Sequence, residues 1–143
     1  MRVLGIDIGK ERVGLAVSDP QGVIASGIGY LERKSFFDKI IQLIEKEKIE
    51  EIVVGIPYRL DGSLGPSAEK AISFLKELEK KIDIPIKKWD ERLTTKLANR
   101  YLLLADLSRK KRKKNIDKLS AQIILQDYLN SQEPLPEEDE DRK

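Results

Sequence analysis

Three runs rich in Val, Ile and Gly, Arg2 to Ile8, Arg12 to Ser18 and Val23 to Leu31, follow one another with only short intervals between them. Those intervals, Gly9-Lys10-Glu11 and Asp19-Pro20-Gln21-Gly22, have turn compositions, so the runs are expected to pair as three consecutive antiparallel strands. From Ser35 the spacing becomes helical. Phe36, Phe37, Ile40, Ile41, Leu43 and Ile44 make one face of a helix ending near Lys48, with Ser35 as its cap.

Glu51 to Ile56 reads as a short buried strand, and the loop Pro57 to Pro66 leads into a second helix facing inward through Ala71, Ile72, Phe74, Leu75 and Leu78. Pro85 to Trp89 is a fifth strand. Thr94 or Thr95 can cap a third helix carrying Leu97, Ala98, Tyr101, Leu102 and Ala105. Asn115 can cap a fourth, carrying Ile116, Leu119, Ile123, Ile124 and Tyr128. An antiparallel meander followed by strands that each need a helical crossover is an α/β order. It suits a ribonuclease H-like fold: a five-stranded mixed sheet, three antiparallel strands then parallel ones, flanked by helices. Residues 1–131 are expected to form this one domain. Residues 132–143, with Pro134, Pro136 and a run of acids, carry too little apolar surface to fold and are expected to be a disordered acidic tail.

The 143 residues contain no Cys and no His. Disulfides, thiol nucleophiles, Ser-His-Asp triads and zinc sites built on those residues are thereby excluded, which leaves carboxylate, lysine and hydroxyl chemistry. The formal charge of +2 hides an asymmetry: residues 133–143 carry six acids and two bases, while residues 1–132 carry 25 bases against 19 acids. A basic body is compatible with a polyanionic partner, and equally with plain solubility. Asp7 interrupts the apolar stretch at the start of the chain, and no run approaches the ~18 apolar residues that span a bilayer. A cytoplasmic protein without membrane association is expected.

Metal-assisted phosphodiester hydrolysis needs carboxylates that converge from separate elements, because Mg²⁺ prefers oxygen ligands and must keep positions open for water and phosphate. Asp7, Glu91 and Asp117 meet that need. Asp7 lies within a strand, between Ile6 and Ile8, where a solitary carboxylate is costly to bury unless something binds it. Glu91 follows the fifth strand, at the end of the sheet where ligands sit in open α/β folds. Composition does not choose it over its neighbour Asp90. Asp117 follows Asn115 by two residues, in the expected first turn of the last helix, where any acid also suits the helix dipole.

Arg109, Lys110, Lys111, Arg112, Lys113 and Lys114 form an unbroken basic run before the expected helix that bears Asp117. As a bare loop such a run is simply solvated. Beside Asp117 it can hold a phosphate backbone close to a bound metal. Gly55, Gly62 and Gly65 surround a loop that ends at a helix N-terminus and can receive a phosphate, a weaker signal. Gly5 to Lys10 is not a P-loop, since three residues separate its glycines and no Ser or Thr follows the lysine.

Four segments taken together resemble the YqgF family, also called RuvX: Gly5-Ile-Asp-Ile-Gly-Lys-Glu-Arg-Val-Gly-Leu-Ala-Val-Ser-Asp19, Val53-Val-Gly-Ile-Pro57 with Asp61-Gly62, Trp89-Asp-Glu-Arg-Leu-Thr-Thr95, and Ile116-Asp-Lys-Leu-Ser-Ala121. The match covers about residues 1 to 130. The resemblance implies a ribonuclease H-like fold and a nuclease described as acting on pre-16S rRNA, earlier described as a Holliday junction resolvase. It also implies that the acidic positions are Asp7, Glu91 and Asp117, selecting Glu91 where the residues alone left Asp90 open. Ser120 stands where the family usually has alanine, and Ile8 where an aromatic is common.

The expected function is a metal-dependent nuclease, using Mg²⁺ or Mn²⁺, that processes the 5′ end of pre-16S rRNA in ribosome biogenesis. Its partner is nucleic acid, a structured ribosomal precursor, with branched DNA as the alternative of a junction resolvase. A noncatalytic RNA-binding factor is a third reading, opposed by the presence of all three acids. An ATPase of the actin and sugar-kinase type opens with a similar hairpin but binds nucleotide between two such lobes, and this chain supplies one. A resolvase cutting two strands symmetrically calls for a two-fold dimer, and no helix shows apolar surface beyond what one core consumes, so a monomer is expected.

Overall fold

A computed structural model describes residues 1–93 and 109–132, with the side chains of 93 and 109–118 outside the description. The expected third helix, with Thr94, Thr95 and Leu97 to Ala105, and the acidic tail both lie outside the described residues. The described elements are β1 (Val3–Ile8), β2 (Arg12–Ser18), β3 (Ala25–Glu32), a 3-10 turn (Arg33–Ser35), α1 (Phe36–Glu47), β4 (Glu51–Ile56), α2 (Pro66–Lys81), β5 (Ile86–Asp90), a second 3-10 turn (Glu91–Leu93) and α3 (Arg109–Ser131).

The strands form one sheet in the order β3-β2-β1-β4-β5. β1 pairs with β2, and β2 with β3, in antiparallel fashion, as the two short turns require. β1 and β4, and β4 and β5, pair in parallel, each link carrying a helix. The mixed five-stranded sheet is therefore as the sequence implied. One irregularity interrupts it: Leu15 pairs with Gly29 and Ala16 with Gly27, leaving Ile28 as the extra residue of a bulge. Gly29 takes φ +128°, open to glycine at little cost.

Alternation sends Leu4, Ile6, Val13, Leu15, Ile52, Val54 and Ile56 to one face, where Phe36 and Ile40 of α1 and Ala71, Phe74, Leu75 and Leu78 of α2 cover them. Each large apolar side chain buried here contributes roughly 1.5–3 kcal/mol. Ser35 stands at the cap position of α1 but makes no side-chain cap bond; its hydroxyl donates instead to the Glu32 carbonyl.

The opposite face, with Val3, Ala16, Ala25 and Val53, is covered by Ala121, Leu125, Tyr128 and Leu129 of α3. Here α3 lies directly on the sheet, because a Cβ placed on Gly5 would stand 2.7 Å from Leu125 Cβ and 3.2 Å from the Ala121 carbonyl oxygen. The contacts also give α3 its direction. Tyr128 donates to the Glu51 carboxylate at the start of β4 at 2.8 Å, while Ala121 and Leu125 lie over the middle of β1. α3 thus runs antiparallel to β1 and β4, with its N-terminal end toward the strands' carboxyl ends.

One expectation needs correction. The last helix does not start at an Asn115 cap; it is already helical at Arg109, so the basic run is part of it rather than a loop, and Asp117 lies past its first turn. Lys and Arg are good helix formers, the run contains no Gly or Pro, and a helix already nucleated on the sheet propagates backward at little cost. Among the described residues no helix is long and apolar enough to cross a membrane.

Candidate active site

Asp7 stands one residue from the end of β1 and shares the α3 face of the sheet with Val3 and Gly5. β5 sends Trp89 to that same face, against Tyr128 with ring centroids 6.3 Å apart. Asp90 then points to the other side and Glu91 returns to the first. Glu91 comes to rest over Gly55 of β4, where a Cβ would stand 2.9 Å from Glu91 Oε2 and 2.7 Å from Ile124 Cδ1. Only glycine leaves the carboxylate this space.

Burial first, then the charges of Asp7 and Asp90, push the Glu91 carboxyl up from its ordinary 4.5 to about 8. Asp7 and Glu91, 84 residues apart in the chain, are therefore electrostatic neighbours at the carboxyl ends of the strands. Asp90 has a different environment. It accepts both a side-chain bond pair and the backbone N–H (3.0 Å) of Arg92, and these hold its carboxyl below the usual carboxylate range. The geometry thus separates two adjacent acids that composition left equivalent.

Asp117 lies on α3 four residues before Ala121, one helical turn nearer the end of the sheet that carries Asp7 and Glu91. Its side chain, and those of Arg109, Lys110, Lys111, Arg112, Lys113 and Lys114, lie outside the described residues. Among the described residues no group of three acidic side chains is close enough to hold a metal ion. The site has two described carboxylates, and its third candidate is placed by the backbone alone.

The glycine-bearing loop between β4 and α2 is organised by its own groups. Asp61 accepts from the Ser63 N–H (2.9 Å) and hydroxyl (2.7 Å), Arg59 N–H donates to the Ser63 carbonyl (3.0 Å), and Gly62 adopts φ +89°. Arg92, which sequence reasoning passed over, ties this loop to the site: its guanidinium donates to the Leu60 carbonyl (3.2 Å) while gripping Asp90, and it lies 5.9 Å from the Tyr58 ring centroid. Its signals in the sequence are its place after two acids and inside the segment Trp89 to Thr95. Asp19, the last residue of the first motif, sits at the opposite end of the sheet and accepts from the Val23 and Ile24 N–H groups at 2.7 and 2.8 Å, a turn-forming role.

A family model described as "RuvX: Holliday junction resolvase" matches residues 1–131. Relatives named "Putative pre-16S rRNA nuclease" include one from Halothermothrix orenii, 51% identical over 138 residues, covering 94% of this chain and 99% of the relative. Another, from Clostridium acetobutylicum, is 49% identical over 134 residues, covering 92% and 99%. Among solved structures, RuvC of T. thermophilus in complex with a Holliday junction substrate aligns with TM-score 0.57 at 13% identity, covering 92% of this chain and 95% of that one. The fowlpox virus Holliday junction resolvase aligns with TM-score 0.56 at 13% identity, covering 92% and 99%. At such identities the likeness establishes the ribonuclease H-like fold alone.

Proposed function

The chain belongs to the RuvX family, and from that premise we propose that it is a metal-dependent nuclease hydrolysing phosphodiester bonds at the 5′ end of pre-16S rRNA. The observation that carries this reading is the meeting of Asp7 and Glu91 on one sheet face. Two carboxylates, one of them pushed up to about 8 by burial and by the other, form a site whose charge a cation relieves. The donor set is all oxygen, which suits Mg²⁺ or Mn²⁺.

Asp7, Glu91 and Asp117 would hold the ion, which supplies an activated water and charge stabilisation at the leaving oxygen. The chain's own bases do the rest. Arg109, Lys110, Lys111, Arg112, Lys113 and Lys114 open the helix that carries Asp117, so a phosphate backbone held by them lies near the carboxylates. The names carried by relatives matching over nine-tenths of the chain favour the ribosomal precursor as substrate. With that substrate the protein works in the cytoplasm, and as a monomer, since one cut on one strand needs no two-fold partner. Cleavage of branched DNA is the second reading, favoured by the description of the family model.

The test sets the ribosomal precursor and a four-way junction side by side with purified protein, with and without Mg²⁺ or Mn²⁺. Metal-dependent cleavage of the precursor is expected, and Asp7→Asn, Glu91→Gln and Asp117→Asn should each lower its rate by orders of magnitude with the fold intact. Wild-type rates in all three variants would remove these residues from the site. Symmetric nicking of the junction alone, by a stable dimer, would replace the first reading with the second.

A further inference from the structure

β3 is one of the two edge strands of the sheet, and α3 protects its beginning. There the Gln126 side chain accepts from the Ala25 N–H (2.9 Å) and Gln122 from the Gly27 N–H (3.3 Å), taking the place of a neighbouring strand. Among the described side chains no such bond to the edge is made beyond the bulge, and Tyr30 stands 44% exposed.

The register fixes which way Tyr30 points. Asp7 pairs with Gly14, and Gly14 pairs with Tyr30. Directly paired residues share a face, so Asp7, Gly14 and Tyr30 form one row on the side of the sheet that bears the carboxylates. Two strand spacings separate Asp7 from Tyr30, about 10 Å. The Arg12 guanidinium lies over the Tyr30 ring, 4.7 Å from its centroid, and Arg12 is on this same face two residues before Gly14.

The geometry points to a base-stacking subsite: Tyr30 and Arg12 receive an unpaired nucleobase of the substrate, next to the phosphodiester bond that the carboxylates address. This assignment rests on the nuclease reading and adds to it a substrate class, nucleic acid with a single-stranded segment at the site of cutting. An aromatic ring and a guanidinium plane already stacked on one another can be extended by a base, which a fully paired duplex keeps inside its own stack. Glu32 pairs directly with Arg12 on the neighbouring strand, and Glu11 with Lys10, Arg33 and Lys34 lines the groove at the hairpin tip. With three bases against two acids that groove can take the phosphate attached to the base, while the Tyr30 ring supplies the stacking surface.

Binding of a labelled single-stranded oligoribonucleotide and of a blunt duplex of the same sequence, measured by anisotropy in chelator to prevent cleavage, tests the assignment. Tyr30→Ala should weaken single-strand binding roughly 5- to 100-fold, and Tyr30→Leu, which keeps apolar cover on the edge strand but has no π face, should weaken it likewise. Tyr30→Phe should restore it, and duplex binding should be the same in all four proteins. Unchanged single-strand binding in Tyr30→Ala and Tyr30→Leu, or equal losses on both probes, would overturn the subsite and leave the nuclease reading standing. Wild-type protein that binds neither probe would also overturn the subsite, while failure to cleave the precursor or the junction with metal present would overturn the nuclease reading.

Discussion

A carboxylate taken out of water beside other acids is penalised in its charged form, first by the burial and then by the neighbouring charges. Glu91 is in that position, and its carboxyl rises from 4.5 to about 8 in the folded protein. The consequence for stability has a definite sign. Below about 4.5 the group is protonated whether the chain is folded or not; between 4.5 and about 8 only the unfolded chain ionises freely, so stability falls as pH rises and the loss is complete above about 8. In metal-free solution Glu91→Gln should therefore melt higher than the wild type above that range and no higher below it, each kcal/mol relieved being worth roughly 2–8 °C. Adding Mg²⁺ should narrow the difference by stabilising the wild type. A melting difference independent of pH would show that Glu91 does not carry this cost. At this scale the sequence was only partly legible: Asp7 was conspicuous because strand interiors rarely hold an acid, whereas Asp90 and Glu91 differ by nothing but the face they reach.

Among the elements, α3 joins the fold to its chemistry. Its C-terminal half packs so closely on β1 that a methyl group at Gly5 would meet Leu125 and the backbone of Ala121. Gly5→Ala should destabilise the protein by about 1–3 kcal/mol, read from the midpoint of denaturant unfolding. Tolerance of alanine without loss would mean that the helix can lift from the sheet freely. The N-terminal half of α3 carries the six bases. Replacing Lys110, Lys111, Arg112, Lys113 and Lys114 with glutamine keeps helix propensity while removing charge. The log-log salt slope of nucleic-acid binding should then become shallower by about 0.7 to 0.9 for each phosphate that is no longer neutralised. An unchanged slope would leave these bases as a solvated helical turn. Asn115 is a good cap by residue type, but a cap signal competes with the helix propensity of the residues on both sides of it, and here the basic run continues the helix past it.

For the molecule as a whole, the sheet gathers at one end residues that lie far apart in the chain: Asp7 at the end of β1, Glu91 after β5, and the turn of α3 that carries Asp117. Cells depleted of the protein should accumulate small-subunit ribosomal RNA with an unprocessed 5′ end, detectable by mapping 5′ termini. Normal termini in such cells would remove the ribosomal precursor as substrate while leaving the chemistry untouched. Asp7→Asn should fail to restore processing, whereas wild-type protein should restore it.

The strand runs, their turn lengths and the switch to helical spacing at Ser35 determined the sheet's composition and the sense of each pairing, because short turns force antiparallel neighbours and helical crossovers permit parallel ones. Local sequence also marked Asp7, because burying a carboxylate in a strand is costly anywhere. What only the tertiary structure decided were relations between faces. Gly55 is an ordinary strand residue until Glu91 is seen over it, Asp90 and Glu91 part company by the alternation of β5, and Tyr30 joins the row of Asp7 through a bulge that shifts the register of β3 by one residue. A one-residue shift reverses a side chain's face, and nothing in the local propensity of Ile28 or Gly29 sets it. The pairing of whole strands does.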